Sequence, residues 1–301
     1  MSSLLTNHND VALQLAKKES AEHRHGLTEL QAVMRQRPLR VKAWSVNHAK
    51  APPAIYSKTC PNIKTVHFIR HGQGFHNLMA DQAAAAGKTW KQFDPTDTNN
   101  PYIMPELVDA PLTEKGRQQA ALLQPKIAAF HNKEQPLQLI VSSPNCRALQ
   151  TGIIAFEHFL NDVNIPFVAH EMVREEHGVH CCDKRRSVAR QRVEFPQVDF
   201  GLLEDDQDVL YRNDVRESKL EIGNRIYSFL QWLSAKNDVT HIGVCSHSSW
   251  LLALFNGVLD CGDDASLLDW FQTGEMRSVR LEFIHEDENQ DVPGLARSLA
   301  S

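Results

Sequence analysis

The amino-acid sequence predicts an α/β fold with a largely parallel sheet that helices cover on both faces. From residue 63 onward, short apolar or β-branched segments alternate with segments of helical spacing. The chain has 301 residues, enough to bury a sizeable core, and its 42% hydrophobic and 23% charged residues are ordinary for a globular protein. Ligands of such sheets bind at the carboxyl ends of the strands, so functional residues are expected directly after the strands.

The composition argues against several classes of protein. No apolar run approaches the roughly 20 residues of a membrane helix, and the first residues do not resemble a secretory signal. A net charge of −5 argues against general nucleic-acid binding. The six cysteines lack C-x-x-C spacing, which argues against a zinc site and a disulfide scaffold. We therefore expect a cytoplasmic protein without metal, membrane or nucleic-acid partners; the composition indicates no particular oligomeric state.

The first 62 residues differ in pattern from the rest of the chain. A helix-like stretch over 9–34 is followed by a polar, basic segment that contains four prolines. We predict a partly helical extension over 1–62, an α/β domain over 63–290 and a C-terminal tail over 291–301.

The first half of the predicted domain contains two strands, each followed by a helix. Residues 63–70 are β-branched and end before Gly72, which predicts a strand. Residues 112–130 predict a helix capped by Thr113, with a kink or an early end at Pro125. The uncharged segment 137–143 predicts a second strand, and Pro144 then opens a helix that extends to about residue 160.

The second half continues the alternation. Residues 165–170 predict a short strand, and residues 217–235 carry apolar side chains at helical spacing. The apolar segment 241–246 predicts a buried strand, followed by a helix over 248–259. Residues 278–285 predict an edge strand.

Charged and nucleophilic residues follow four of the predicted strands. Their positions are Arg70 and His71, then Arg147, then Arg174 and Glu175, and finally His247. Because the carboxyl ends of parallel strands meet at one edge of a sheet, we expect these residues to converge.

This set of residue types suits the transfer of a phosphoryl group. Arginine guanidinium groups bind phosphate oxygens through paired donors. A histidine that is neutral near pH 7 can attack phosphorus and carry the phosphoryl group, and a carboxylic acid can protonate the leaving oxygen. Side-chain cations can supply the charge stabilisation that this reaction needs, so no metal and no other cofactor is required.

Five sequence blocks resemble the histidine phosphatase superfamily, which includes the cofactor-dependent phosphoglycerate mutases. They are T-V-H-F-I-R-H-G-Q-G-F-H-N (65–77), L-T-E-K-G-R-Q-Q-A (112–120), S-S-P-N-C-R-A-L-Q-T (142–151), R-E (174–175) and V-C-S-H-S (244–248). The blocks occur in the family's order and span roughly residues 63–260. A lone R-H-G is weak evidence: Arg24-His25-Gly26 is also an R-H-G, but no apolar strand precedes it.

The resemblance implies a three-layer α/β/α sandwich with a mixed, mostly parallel sheet, and it implies roles for individual residues. His71 would be the nucleophile, His247 the second active-site histidine, and Glu175 the proton donor, with Glu176 as the fallback. Phosphate-binding residues would be Arg70, Arg147 and Asn77, although a plain helix cap is the alternative for Asn77. After the second histidine the family often has glycine, alanine or aspartate, whereas this chain has Ser248, whose hydroxyl can add a hydrogen bond.

Residues 174–187 and 195–200 are similar to a narrower branch, the phosphoglycerate mutase-like proteins of plants and fungi. The run 174–192 is locally basic in an acidic chain. Three of its residues could contact a second anionic group of the substrate, namely Lys184, Arg185 and Arg186. The alternative is a solvated loop that pairs with the acidic residues just downstream, among them Asp205 and Asp208.

The sequence thus predicts a metal-independent phosphomonoesterase that acts on a small phosphorylated metabolite through a phosphohistidine. One alternative is a phosphoglycerate-type mutase, which would return the phosphoryl group to an acceptor. The other is a non-catalytic phosphate-binding module that uses residues 1–62 to dock. The presence of every expected site residue argues against the module.

Overall fold

The structure is a computed structural model that describes residues 17, 21–52, 62–131, 136–163 and 165–285. The strands within these residues are β1 (Leu39–Ser45), β2 (Ile63–Arg70), β3 (Leu139–Ser142), β4 (Phe167–Ala169), β5 (His241–Ser246) and β6 (Met276–His285). The α-helices are α1 (Leu27–Met34), α2 (Phe75–Ala85), α3 (Glu114–Ala121), α4 (Gln124–Phe130), α5 (Cys146–Ala155), α6 (Val188–Glu194), α7 (Lys219–Ser234) and α8 (Ser248–Ala253).

The six described strands form one mixed sheet in the order β1-β6-β2-β5-β3-β4. The pairs β2–β5, β5–β3 and β3–β4 are parallel, whereas β6 pairs antiparallel with both β2 and β1. Only β6 therefore runs against the others. This confirms the predicted α/β class with a mixed, mostly parallel sheet.

Helices cover both faces of the sheet because alternate strand residues point to opposite faces. On one face, Val66 and Phe68 of β2 pack in a core with residues of α1, α7 and α8. On the other face, Ile69 of β2 packs with residues of α4, α5 and α6. The resulting layers are those of a three-layer α/β/α sandwich.

Strand β1 corrects the prediction that residues 278–285 form an edge strand. β6 is covered on its outer side by β1, with Leu39 opposite His285 and Ser45 opposite Val279. β1 lies in the segment that we predicted to be a polar part of the N-terminal extension. Its buried residues Leu39, Val41 and Ala43 alternate with Arg40 and Lys42, so one face packs in the core and the other is polar.

The remaining elements follow the predicted order with shorter bounds. The segment 112–130 divides into α3 and α4, with Pro125 in the first turn of α4, which confirms the expected interruption. The helix after β5 ends at Ala253 and continues as a π-helical turn over Leu254–Val258. Of the predicted helix 9–34, residues 9–16 and 18–20 lie outside the described part of the chain, as does the tail 291–301. None of the helices in the described ranges is long and apolar enough to span a membrane.

Candidate active site

The structure brings most of the predicted site residues to one cavity at the carboxyl edge of the parallel strands. The predicted residues that line this cavity are Arg70, His71, Asn77, Arg147, Glu175 and Ser248. His247 lies behind this lining, with its ring centroid 5.0 Å from that of His71. The strand ends thus converge as the sequence predicts.

The loop that carries His71 rests directly on the start of α3. A Cβ at Gly72 would collide with the carbonyl oxygen of Gly116, and a Cβ at Gly116 would collide with that of Gln73. Glycine is therefore needed at both positions for the two backbones to approach so closely. The amide of Thr113 donates to the carbonyl of Gln73 (2.9 Å). Two of the five resembling blocks thus meet to fix the histidine loop.

Two further side chains hold the backbone of this loop. The Gly72 amide donates to Thr151 Oγ1 (3.0 Å), and the Gln73 amide donates to Gln119 Oε1 (2.8 Å). Thr151 and Gln119 are the final threonine of the 142–151 block and the second glutamine of the 112–120 block. These motif residues act on the backbone around His71 rather than on a ligand.

The hydrogen bonds of His71 define which ring nitrogen is free to react. Its Nδ1 lies 2.7 Å from the carbonyl oxygen of Gly72. A carbonyl only accepts, so Nδ1 carries the proton and Nε2 presents a lone pair. Arg147 Nε donates to that Nε2 at 3.2 Å. Burial, together with the charges of Arg147 and Arg70, holds the pKa of His71 well below its usual range. The ring is therefore neutral and nucleophilic near pH 7.

Arg147 is held in the first turn of α5 by contacts along its whole guanidinium group. Its Nη1 donates to the carbonyl oxygen of Cys182 (2.6 Å) and its Nη2 to Asp183 Oδ1 (2.7 Å). The start of α5 is itself held by Asp109, whose Oδ1 accepts from the Cys146 amide (2.8 Å). Arg147 is only 1% exposed, so the guanidinium is fixed before any ligand arrives.

Arg70 lies across the cavity at the end of β2. Its Nη1 donates to the carbonyl oxygen of Phe271 (2.7 Å), and its guanidinium lies 5.6 Å from the ring centre of Trp270. The side chain is 5% exposed and lines the cavity. Arg70 and Arg147 therefore face the same small space, one from the end of β2 and the other from the first turn of α5.

His247 is oriented by a polar chain that starts at the end of β3. Its Nε2 lies 2.7 Å from Ser143 Oγ, and that hydroxyl lies 3.2 Å from Asn145 Oδ1. The Nδ1 atom of His247 is buried and has no hydrogen-bond partner among the described residues. Burial and the charge of Arg147 hold the pKa of His247 well below its usual range. The second histidine therefore offers a neutral ring beside His71.

Glu175 and Glu176 are adjacent in sequence but occupy different environments. Glu175 lines the cavity, and its Oε1 accepts three backbone N–H bonds, from Glu176 (2.9 Å), Ser249 (3.1 Å) and Trp250 (3.1 Å). Its Oε2 accepts from the hydroxyl of Ser248 (3.2 Å). Oε2 is thus the oxygen with fewer backbone donors.

Glu176 is instead locked in a buried ion cluster. Its Oε2 contacts Lys219 Nζ (2.5 Å) and His23 Nδ1 (2.7 Å), and it accepts a short hydrogen bond from Ser249 Oγ. Burial alone would raise the pKa of Glu176, but the neighbouring His23, Lys219 and Arg216 side chains hold it well below its usual range. Between the two glutamates, only Glu175 is among the cavity-lining residues.

Asn77 combines the two interpretations that the sequence left open. Its Oδ1 accepts from the Gly74 amide (3.0 Å), which caps α2. It also lines the cavity, and its Nδ2 has no hydrogen-bond partner among the described residues. The amide group can therefore cap the helix and donate to a ligand at the same time.

The expected contact of Arg185 and Arg186 with a second anionic group needs correction. Arg185 is 3% exposed, and all five of its N–H donors are occupied, by Glu171 Oε1 and by four backbone carbonyls. Arg186 pairs with Glu194 (2.6 Å) and Asp109 (3.6 Å). Lys184 lies 5.6 Å from the ring centre of Tyr211. None of the three lines the cavity: the downstream loop and Glu171 take up the guanidinium group of Arg185, and Glu194 and Asp109 take up that of Arg186.

The cavity also contains residues that the sequence analysis did not single out. They are His23, His76, Gln92, Tyr102, His180, Cys182, Asp183, Arg216 and Trp270. His76 lies inside the first resembling block, and His180, Cys182 and Asp183 lie in the segment that resembles the narrower branch, so a signal existed for these four. The others come from distant segments without a motif. Among the described residues, no group of three or more metal-ligating side chains is arranged to hold an ion.

Buried histidines make the stability of the fold sensitive to acid. Burial lowers the pKa of His67 and His180 to about 3, and that of His170 and His177 to about 4. Above pH 6.5 these rings are neutral in the folded and the unfolded state alike. As the pH falls below 6.5, the unfolded chain takes up protons that the folded state does not bind. Stability is therefore lost progressively toward the folded-state pKa values.

We expect the free energy of unfolding to fall by up to about 2 kcal/mol per such histidine between about pH 7.5 and pH 5. Urea titrations at intermediate pH values measure it. In His170→Asn, the new Oδ1 can replace Nδ1 as acceptor for the Met172 amide. The free energy of unfolding of this variant should depend less steeply on pH, by the equivalent of roughly one proton taken up on unfolding. A pH-independent free energy over this range would contradict the expectation.

Comparison with known proteins finds the same family that the motifs resemble. Residues 66–291 match the family model of the histidine phosphatase superfamily, branch 1. A phosphoglycerate mutase-like protein of Arabidopsis thaliana is 31% identical over 226 residues, which cover 67% of this chain and 77% of that protein. Phosphoglycerate mutase-like protein 1 of the same plant is 29% identical over 245 residues, 72% of this chain and 80% of that protein.

The structure of a mycobacterial glucosyl-3-phosphoglycerate phosphatase aligns with a TM-score of 0.43 and 17% identity, covering 71% of this chain and 90% of that chain. The range matched by the family model begins within β2, so α1, β1 and His23 lie outside it.

Proposed function

The chain belongs to the histidine phosphatase superfamily, and on that premise we propose that it is a metal-independent phosphomonoesterase acting on a small phosphorylated metabolite through a phosphohistidine at His71. One observation carries the proposal. The Nδ1 proton of His71 is bound by the Gly72 carbonyl, so the lone pair lies on Nε2, which faces the cavity and accepts from Arg147 Nε.

In the first step, Nε2 of His71 attacks the phosphorus atom of the monoester. The N–P bond forms as the P–O bond to the alcohol breaks, and the leaving oxygen takes a proton from Glu175. The ring becomes a cation in the phosphoenzyme, and the Gly72 carbonyl stabilises its Nδ1 proton. An alkoxide is a poor leaving group, so the proton from Glu175 matters most for alkyl substrates.

The phosphoryl oxygens are stabilised by groups that are already in place. In the free enzyme the Arg147 Nε–H donates to the lone pair on His71 Nε2. Once phosphorus is bound to Nε2, one of the phosphoryl oxygens lies next to this N–H. Arg70 and Asn77 face the same space, and His247 adjoins it. Fixed donors in a buried site cost little reorganisation when charge develops, so this arrangement favours phosphoryl transfer.

In the second step, water attacks phosphorus and gives a proton to Glu175. The N–P bond breaks, and inorganic phosphate leaves with the ring neutral again. Glu175 must therefore hold a proton in one step and accept one in the next. The hydroxyl of Ser248 can donate to the ionised Oε2 and accept from the protonated form, so it supports both states.

A hydrolysis assay tests the proposal against its alternatives. Purified protein with a chelator present would be offered p-nitrophenyl phosphate and a panel of phosphorylated metabolites, and phosphate release measured. We expect release that the chelator does not diminish. Release only when a second, acceptor molecule is supplied would favour the mutase, and tight phosphate binding without turnover would favour the binding module.

A further inference from the structure

His23 is a buried residue that lines the candidate active site but lies outside the range that the family model matches. It is 6% exposed and lines the same cavity as His71 and Glu175. Its ring stacks on Trp270 (centroids 5.6 Å apart, planes at 27°) and meets Phe93 edge-on (5.3 Å). The N-terminal segment therefore closes one side of the cavity.

The N-terminal segment is anchored in the domain directly after His23. Leu27 and Leu30 of α1 are buried in the same core as α7 and α8. Arg24 donates to Asn256 Oδ1 (3.1 Å) and to the carbonyl oxygen of Leu268 (3.3 Å). His23 is thus held at a defined place rather than resting on a loose arm.

The ring nitrogen of His23 joins two side chains that lie behind Glu175. Its Nδ1 lies 2.7 Å from Glu176 Oε2 and 3.1 Å from Ser249 Oγ. The ammonium group of Lys219 binds the same Glu176 oxygen and also donates to Ser249 Oγ (2.9 Å). His23, Glu176, Lys219 and Ser249 form one buried cluster, which we call the rear cluster.

The rear cluster supplies two of the backbone donors that hold Glu175. The amides of Glu176 and Ser249 donate to Glu175 Oε1 at 2.9 and 3.1 Å. The side chains of the same two residues bind each other directly, and both contact Lys219 and His23. His23 therefore contacts the side chains of two residues whose backbone amides bind the carboxyl group of Glu175. A change at His23 reaches that carboxyl group through these two residues.

We propose that His23 is a positioning residue that fixes the carboxyl group of Glu175 for proton transfer, so that the N-terminal segment is an integral part of the active site. This inference rests on the proposed phosphatase function. It predicts a defect in both proton transfers of Glu175, of which only the protonation of the leaving group depends on the substrate. A displacement of about 1 Å can lower the rate about 100-fold, so removal of the ring should be severe for substrates that need the proton.

The test compares two substrates that differ in leaving group, an alkyl phosphate and p-nitrophenyl phosphate. In His23→Ala we expect kcat/KM, which reports formation of the phosphoenzyme, to fall about 10- to 100-fold for the alkyl phosphate and by less than about threefold for p-nitrophenyl phosphate. His23→Phe keeps an aromatic ring between Trp270 and Phe93 but lacks the nitrogen, so it should show the same selective loss. His23→Asn puts an amide Nδ2 near the position of Nδ1 and should restore most of the alkyl rate.

The matched control is His25→Ala, two residues away and exposed, which should leave both rates unchanged. An equal loss of kcat/KM on both substrates in His23→Phe, or no loss at all, would overturn the positioning role. If the wild-type protein hydrolyses neither substrate, or if His71→Ala retains the rate, the proposed function fails before the role of His23 is in question. Thermal melting of each variant separates loss of fold from loss of positioning.

Discussion

Replacement of His71 by alanine is expected to lower kcat/KM for phosphomonoester hydrolysis by at least about 10⁴-fold, because no other group in the cavity is placed to carry the phosphoryl group. The lone pair on Nε2 is oriented by the Gly72 carbonyl, and burial with two arginines keeps the ring neutral. His76 also lines the cavity, with its ring centroid 5.5 Å from that of His71, but its buried Nδ1 has no hydrogen-bond partner among the described residues and so lacks this backbone contact. The measurement is steady-state hydrolysis of p-nitrophenyl phosphate with the variant and the wild type at equal concentration.

Trapping the intermediate gives a second, independent measurement. Wild-type protein quenched during turnover should carry phosphate that is stable in base and labile in acid, as expected for an N–P bond, and His71→Ala should carry none. The second R-H-G provides the control: His25 is exposed, so His25→Ala should retain both activity and label. Label that persists in His71→Ala would place the nucleophile elsewhere and contradict the proposed mechanism.

The residues that carry chemistry could be predicted from sequence because each lies next to a strand end. The apolar strands β2, β3 and β5 have clear patterns, and a parallel sheet brings their carboxyl ends together whatever the rest of the chain does. The motif residues that hold the histidine loop, such as Gly116 and Gln119, contact the backbone of Gly72 and Gln73. Their spacing along α3 follows from that contact.

The N-terminal contribution was missed because its pattern is weak in a single sequence. β1 reads L-R-V-K-A-W-S, a period of two in which Arg40 and Lys42 interrupt the apolar side chains. Such alternation is typical of a half-buried strand, but the basic residues and nearby prolines favoured an irregular segment. β1 is placed at the edge of the sheet by pairing with β6, some 240 residues away, which no local pattern can show.

The roles of the basic run 184–186 and of His23 depend on which partners the chain folds against. The acidic residues downstream were recognised as one alternative for this run, and the structure shows the loop at 205–208 enclosing Arg185. His23 has no motif around it, and its contacts with Glu176, Ser249 and Trp270 span separations of 153 to 247 residues. Long-range packing of this kind lies beyond what spacing along the chain can predict.

Glu175→Gln is expected to separate the two chemical steps. Glutamine keeps an oxygen for the backbone amides that bind Oε1, so the local structure should persist. It cannot deliver a proton, and kcat/KM for an alkyl phosphate should fall about 10²- to 10⁴-fold. With p-nitrophenyl phosphate the first step needs little proton transfer, but the second step loses its base. Rapid mixing should therefore show a burst of about one equivalent of p-nitrophenol, followed by slow turnover.

The burst also decides between the two adjacent glutamates. Glu176 is tied to Lys219 and His23, and the pKa of its carboxyl is held far below its usual range, so it has no proton to give near pH 7. A burst in Glu176→Gln with none in Glu175→Gln would transfer the proton-donor role to Glu176. A burst in Glu175→Gln together with a selective alkyl defect in His23→Phe would connect the N-terminal segment to the same proton. In that case His23, which lies outside the range that the family model matches, and Glu175, which lies within it, act on the same proton transfer.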